Sequence, residues 1–265
     1  MFVAVGAADG EVVLVAGREA ETDDFCLRLD PADIDTLGAV GDLVAASVQN
    51  TQVAALAQIR RFLPPAVADE VMSGRMLADQ GYTRREVTLL VVDMVGFTVL
   101  ADSVEPDVLA GLLNRYLGEM TTLAHAHGGT VGSLAGDGVL VMFGAPEACS
   151  AEEHAWAAAQ CAFAMRARLS LVADDDQTPV SVRIGVNTGA CAVGVFGSAS
   201  QATYTAIGLP VNLATRLETA AAPGMILVSG PTRDLLGGRV HAASRGELSL
   251  KGFSRPVPAH VVEPA

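Results

Sequence analysis

Hydrophobic and polar positions along this chain alternate between two periods, and each change of period marks an element. From Val87 to Val92 nearly every position is apolar (VTLLVV), the pattern of a strand buried on both faces. From Pro106 to about His127 the residues Val108, Leu109, Leu112, Leu113, Tyr116, Leu117 and Met120 recur at steps of three and four, the stripe of an amphipathic helix. Two short strands follow at Thr130–Leu134 and Val139–Phe143, then a helix at Glu152–Leu171 and a strand at Val180–Asn187. The order is βαββαβ, which predicts an α+β domain with a ferredoxin-like sheet. A further hairpin, a helix at Val211–Ala220 and strands at Met225–Val228 and Glu247–Leu250 extend it.

Ahead of this domain the pattern is different. Two short strands flank the turn Asp9-Gly10, and a third is expected at Phe25–Leu29. Asp30-Pro31 then opens a long helix whose Leu37, Val40, Val44, Val48, Leu56, Ile59 and Phe62 form one apolar face, ending at Pro64-Pro65. Such a helix reads as a dimerisation element more readily than as a ligand site. The chain therefore divides into a small α/β N-terminal segment (1–63), a basic, polar linker (64–85) and the main domain (86–265).

Charge narrows the classes of function. Asp and Glu number 30 against 17 Lys and Arg, a formal charge of −13, which argues against tracking nucleic acid through a basic surface. An acidic protein binds a polyanion such as a nucleotide only where cations, helix N-termini or a few placed basic residues reverse the local field. The cysteines Cys26, Cys149, Cys161 and Cys191 form no CxxC pair and read as reduced, mostly buried thiols of a cytoplasmic protein. The start lacks a basic leader, and no run of about 18 apolar residues occurs, so neither a signal peptide nor a membrane span is expected.

Two carboxylates stand where apolar pattern makes them costly. Asp93 ends the buried run in LLVVDMVGFT, and Asp137 tips the hairpin AGDGV. In an antiparallel sheet of this order the end of the first strand and the turn of the middle hairpin lie side by side. Adjacent carboxylates repel unless cations sit between them, and hard oxygen ligands suit Mg²⁺ or Mn²⁺ with a phosphorylated substrate completing the shell. Taken singly, Asp93 reads equally as a strand-end turn residue and Asp137 as an ordinary hairpin residue; the pair points to metal. Between Asp93 and the next helix, the turn through Gly96, Phe97 and Thr98 offers backbone amides to a phosphate. Asn212 and Arg216, four residues apart, share one helix face.

These residues lie within motifs that resemble the catalytic domain of class III nucleotide cyclases: VTLLVVDMVGFT, LLNRYLGEM, HGGTVGSLAGDGVLVMFGAP, VRIGVNTG, and TYTAIGLPVNLATRLE followed by GELSLKG. The front segment resembles, by pattern alone, the closing strands and last helix of a GAF sensor domain, although about sixty residues are too few to enclose a complete pocket of that kind. The cyclase resemblance implies a fold and a reaction: 3′,5′-cyclic AMP or GMP and pyrophosphate from the triphosphate. It implies that Asp93 and Asp137, with the Met94 carbonyl, hold two Mg²⁺ or Mn²⁺ ions. It further implies that Asn212 orients the ribose, that Arg216 stabilises charge on the α-phosphate, and that the two sets of residues come from different subunits of a homodimer. Lys251, in LSLKGF, lies near the triphosphate-binding lysine of the family.

Base recognition departs from the pattern. Adenine-selective members carry a lysine where this chain has Ser133, paired with an aspartate or threonine where it has Thr205. Serine cannot supply a charge-assisted donor. Adenylate cyclase is expected first, on Thr205; guanylate or base-promiscuous cyclase and a non-catalytic nucleotide-binding regulator are the alternatives. A diguanylate cyclase would show a GG-acidic-acidic-Phe turn, whereas the turn here is Ala135-Gly136-Asp137-Gly138-Val139.

Overall fold

The computed structural model describes residues 2–8, 11–17, 82–176, 181–198 and 201–265, with side chains from Tyr82 onward except those of 169–176 and 201. The chain divides into two compact units, Met1–Phe62 and Leu63–Ala265. In the first, β1 (Phe2–Ala8) and β2 (Glu11–Gly17) form the expected antiparallel hairpin, in register from Phe2 opposite Gly17 to Ala8 opposite Glu11. The strand expected at Phe25–Leu29, the long helix to Leu63 and the linker up to residue 81 lie outside the described residues.

The second unit is built on one mixed sheet. Its elements in chain order are β3 (Tyr82–Met94), α1 (Phe97–Ser103), α2 (Pro106–Ala126), β4 (Thr130–Ala135), β5 (Gly138–Phe143), α3 (Ala151–Asp176), β6 (Val182–Ser198), β7 (Gln201–Ile207), α4 (Leu209–Ala220), β8 (Ile226–Ser229), α5 (Gly230–Leu236), β9 (Val240–Leu248) and β10 (Val257–Pro264). Strand order is β4-β5-β3-β6-β8-β10-β9, with β7 paired to the far half of β6. The run β4-β5-β3-β6 is the predicted ferredoxin-like core, with β3 antiparallel to both neighbours.

Several elements exceed or escape the pattern. β3 begins at Tyr82 rather than Val87, because the polar stretch Thr83–Glu86 pairs through its backbone with residues 190–193 of β6. β6 likewise runs on past Asn187 to Ser198, paired with β3 as far as Gly194 and with β7 from Ala192 onward. The expected strand Glu247–Leu250 is the end of β9, which starts at Val240; β10, α1 and α5 were not anticipated.

β3 is buried on both faces, as its sequence predicts. Leu90, Val92 and Met94 join Tyr116 and Met120 of α2, Ala158 and Ala162 of α3, and Ile184 of β6 in the larger core. Val87, Leu89 and Val91 face the other way, toward Tyr204 and Ala206 of β7 and Ala214 of α4. α4 lies directly on β6: a Cβ on Gly185 would come within 2.2 Å of the Ala214 carbonyl oxygen and 2.3 Å of the Glu218 nitrogen. Only glycine allows that approach.

A chain of hydroxyls runs through the larger core. Thr232 Oγ1 of α5 donates to Thr188 Oγ1 of β6 (3.1 Å), which lies 2.7 Å from Thr88 Oγ1 of β3, which in turn lies 2.8 Å from Nδ1 of His154 on α3. All four residues are buried. Each hydroxyl in the chain has a hydrogen-bonding neighbour, and a neutral His154 ring completes the set in either tautomer. Burial pushes the His154 pKa below its ordinary value, against the opposing charges of Glu86 and Glu152. The unfolded chain therefore takes up a proton near pH 6.5 that the folded chain refuses. The resulting stability is present above that pH and is lost as pH falls through it. Unfolding free energies from urea denaturation, followed from pH 7 to 5, should fall less steeply in His154→Gln than in wild type, by at most about 1.4 kcal/mol per pH unit, the slope for a single proton.

Candidate active site

The alternation along β3 that points Leu89 and Val91 toward α4 brings Asp93 to the same face at the strand's end, where Arg183 of β6 stands opposite it. The β4–β5 hairpin closes with Ala135 opposite Gly138, and Gly136, at φ +63°, supplies the left-handed residue that so tight a turn requires. Asp137 at the tip accepts a hydrogen bond on Oδ2 from the Met94 backbone amide at 3.2 Å. A Cβ on Gly138 would lie 3.5 Å from Asp93 Oδ1. The two carboxylates of the sequence reading thus meet at one point, tied by the residue between strand and turn.

The electrostatics there are unfavourable without added positive charge. Burial raises the Asp137 pKa, and the charge of Asp93 and a hydrogen bond with it add to the rise, against the amides of Asp137 and Met94. Tyr116 of α2 is buried with its hydroxyl unpartnered among the described residues; burial first, then Asp93, Asp137 and Glu218, drive its pKa upward. It stays a neutral phenol.

Arg183 and Glu218 were missed in the sequence. Arg183 Nη2 donates to Asp93 Oδ2 at 3.1 Å, and its Nε lies 3.1 Å from Glu218 Oε1 of α4. Glu218 is buried, and burial followed by Asp93 raises its pKa, opposed by Arg183 and Thr219. The signal for Arg183 was available: a cation inside the apolar run VRIGV is the same anomaly as Asp93 inside LLVVD. Glu218 had no such signal, since an acid near a helix end is ordinary.

The other predicted residues divide by location. On α4, Ala214, Leu217 and Glu218 face inward, while Asn212 is exposed and Arg216 half-buried. Arg216 and Glu218 are two positions apart, about 200° around the helix, so they point to opposite sides. No hydrogen bond or ion pair among the described residues joins Asn212 or Arg216 to Asp93 or Asp137. Thr205 Oγ1 of β7 would lie 3.0 Å from a Cβ on Gly132, the residue before Ser133, which is exposed on the edge strand β4. Of the two positions expected to read the base, Thr205 thus lies against the residue next to Ser133 in β4. Lys251 is exposed in the turn between β9 and β10. In the turn after Asp93, the amides of Met94 and Val95 are already used, by Asp137 and by the Ser181 carbonyl. Those of Gly96, Phe97 and Thr98 stand at the open first turn of α1.

The donor set suits a hard divalent cation. Among the described residues no group of three or more His, Cys, Asp or Glu side chains is arranged to hold a metal. Two carboxylates are fewer ligands than such a cation takes, and a Mg²⁺ ion held there would draw the rest from water or a bound phosphate. Sulfur takes no part. Of the three described cysteines Cys149 is exposed and Cys161 and Cys191 are buried, burial pushing Cys161 up to about 12 and Cys191 up to about 11, and all three are free thiols. Among the described residues no helix is long and apolar enough to cross a membrane.

Comparison with known proteins agrees with this geometry. The adenylate and guanylate cyclase catalytic domain family matches residues 80–263. The chain is 33% identical over 139 residues to adenylate cyclase 1 of Rhizobium meliloti (strain 1021), covering 51% of this chain and 21% of that one. It is 30% identical over 204 residues to the receptor-type guanylate cyclase gcy-5 of Caenorhabditis elegans, covering 73% and 18%. The matched segments span about a fifth of the length of those relatives. Among solved structures, the adenylyl cyclase CyaB from P. aeruginosa superposes with a TM-score of 0.68 at 38% identity, covering 70% of this chain and 97% of that one. The guanylyl cyclase Cya2 superposes at 0.66 and 34%, covering 70% and 95%. With the sheet order, the paired aspartates and the match over residues 80–263 all in agreement, the chain belongs to the adenylate and guanylate cyclase catalytic domain family.

Proposed function

We propose that this domain converts ATP to 3′,5′-cyclic AMP and pyrophosphate at two equivalent sites of a homodimer. The observation that carries the reading is the convergence of Asp93 and Asp137 on one side of α4 while Asn212 and Arg216 face away on the other. One chain holds both halves of the required machinery but does not assemble them; a second chain related by a two-fold axis does so twice.

In this reading Asp93, Asp137 and the Met94 carbonyl hold two Mg²⁺ or Mn²⁺ ions. Bound there, the ions acidify the ribose 3′-hydroxyl and neutralise charge on the triphosphate. Asn212 of the second subunit orients the ribose so that O3′ attacks the α-phosphorus in line with the departing β-phosphate. The bond to pyrophosphate breaks as the new ester forms, and the hydroxyl proton passes to water. Arg216 stabilises the charge that builds on the α-phosphate oxygens. The amides of Gly96, Phe97 and Thr98 and the Lys251 ammonium receive the triphosphate. Leu134, Ile207 and Leu209, each half or more exposed, are close in sequence to Ser133, Thr205 and Asn212. Apolar side chains left uncovered there suit a face that a second subunit closes.

The named relatives divide between the two bases, so base choice rests on Ser133 and Thr205. Their side chains read the Watson–Crick edge as neutral hydroxyls, with Thr205 favouring adenine. A site of neutral hydroxyls discriminates less than one built around a charge-assisted donor. We place the domain in the cytosol, where ATP and reduced thiols are available, and assign residues 1–63 the role of setting the angle between the two catalytic domains.

Purified protein with Mn²⁺ should form product faster from ATP than from GTP, and Asp93→Ala or Asp137→Ala should each lower turnover by at least about a hundredfold while leaving the circular dichroism spectrum intact. Faster turnover of GTP would reverse the base assignment. Nucleotide bound without turnover would favour a regulatory module.

Equal mixing of inactive Asp93→Ala with inactive Arg216→Ala should recover about a quarter of wild-type activity, since half the dimers are mixed and each of those has one whole site. No recovery despite demonstrated subunit exchange would remove the shared-site proposal. Deleting residues 1–63 should weaken dimerisation or change turnover, checked by sedimentation and by the same assay; a fully dimeric, unaltered truncation would refute that role.

A further inference from the structure

Arg183 serves two carboxylates at once, and the two contacts differ in quality. Toward Asp93 it makes a hydrogen bond, Nη2 to Oδ2, at 3.1 Å. Toward Glu218 it makes a charge contact off the donor axis: Nε and Oε1 are 3.1 Å apart, yet both are buried without a hydrogen-bond partner among the described residues. Glu218 has 6% of its side chain exposed, against 27% for Asp93. Its second oxygen accepts from Thr219 Oγ1, and its backbone is set against β6 by the contact at Gly185. A buried carboxylate with one poorly satisfied oxygen beside a guanidinium is an expensive arrangement to keep. It makes sense if the guanidinium has a second position in which that bond is closed.

The metal reading of Asp93 and Asp137, on which this inference rests, supplies the occasion. A divalent cation on Asp93 and the Arg183 guanidinium on the same carboxylate repel each other and compete for one oxygen. We propose that Arg183 is a built-in counter-cation of the metal site: it neutralises Asp93 while no divalent cation is present and turns to Glu218, closing the Nε–Oε1 hydrogen bond, when a cation takes Asp93. Glu218 is then a positioning residue for metal loading and not a ligand. The three carboxylates Asp93, Asp137 and Glu218 keep a compensating charge in both states, and no step leaves Arg183 unpaired in a half-buried site.

Binding of Mn²⁺ alone to the full chain, without nucleotide, tests this by electron paramagnetic resonance or calorimetry, with melting in chelator as a second readout. Arg183→Gln should bind Mn²⁺ about three- to tenfold more tightly than wild type and should melt lower in chelator, with a larger rise on adding Mn²⁺. Arg183→Lys, which keeps the charge, should stay within about twofold of wild type. Glu218→Gln should weaken Mn²⁺ binding about three- to tenfold in the wild-type background and by less than half that factor in the Arg183→Gln background, since the two residues act as a unit. If Glu218→Gln does not fold, the two Arg183 variants decide. Unchanged or weaker binding in Arg183→Gln, or equal effects of Glu218→Gln in both backgrounds, overturns the handover. Should Mn²⁺ bind wild type no better than Asp137→Asn, the metal reading falls and this inference falls with it. Binding that Asp137→Asn abolishes but Arg183→Gln leaves unchanged preserves the metal reading and removes the handover alone.

Discussion

The feature on which the site depends is the repulsion between Asp93 and Asp137. The fold brings one carboxylate to the end of a strand buried on both faces and hangs the other over it on a two-residue turn, linked by the Met94 amide. Two such groups in a partly dry site cannot both stay ionised without a positive partner. Arg183 provides one charge, which it divides between Asp93 and Glu218. Three carboxylates and one guanidinium leave the cluster short of positive charge, and the unpartnered Tyr116 hydroxyl behind it adds none. The divalent cation of the proposed mechanism would meet that deficit.

Packing explains why the deficit lies on one side of α4 and Arg216, the arginine proposed to meet the α-phosphate, on the other. Gly185 lets the helix backbone touch β6, which fixes its rotation as well as its height. With Ala214, Leu217 and Glu218 turned inward, the 3.6-residue repeat leaves Asn212 and Arg216 no choice but to face out. The same contact therefore presses Glu218 toward Arg183 and presents Arg216 away from it. In the proposed dimer, one helix serves two sites: its inner face steadies the arginine beside its own chain's aspartates, and its outer face completes the partner's.

Much of this was legible in the sequence because buried strands tolerate little besides apolar residues. A charge inside such a run stands out, so Asp93 could be read directly, and the hairpin signal in AGDGV supplied Asp137. The ferredoxin-like strand order followed from alternating periods. What escaped reading had no hydrophobic signature: the polar start of β3 and the far half of β6 are held by backbone pairing, α1 is a seven-residue helix without a buried residue, and β10 reads as a mixed, Pro-containing tail. Glu218 was invisible for another reason. Its burial arises from contact with β6 at Gly185, a tertiary fact that no local window contains.

Charge at the scale of the whole chain bears on the proposed substrate. At −13 the protein repels a free nucleoside triphosphate, and the repulsion extends about 8 Å from the surface at physiological ionic strength. A nucleoside triphosphate that arrives already carrying Mg²⁺ or Mn²⁺ has shed half of its charge, and its cation suits the paired carboxylates Asp93 and Asp137. The basic groups assigned to the phosphates in the proposal are two: Arg216 on the outer face of α4 and Lys251 in the β9–β10 turn. In the proposed site, specific charges set in an acidic surface would favour a metal-complexed polyanion over larger polyanions such as nucleic acid, whose many phosphates would meet the acidic surround. Ser133 follows the same economy. With neutral hydroxyls at both base positions, the proposed site puts its positive charge where the phosphates react and leaves the base to be read by hydrogen bonding alone.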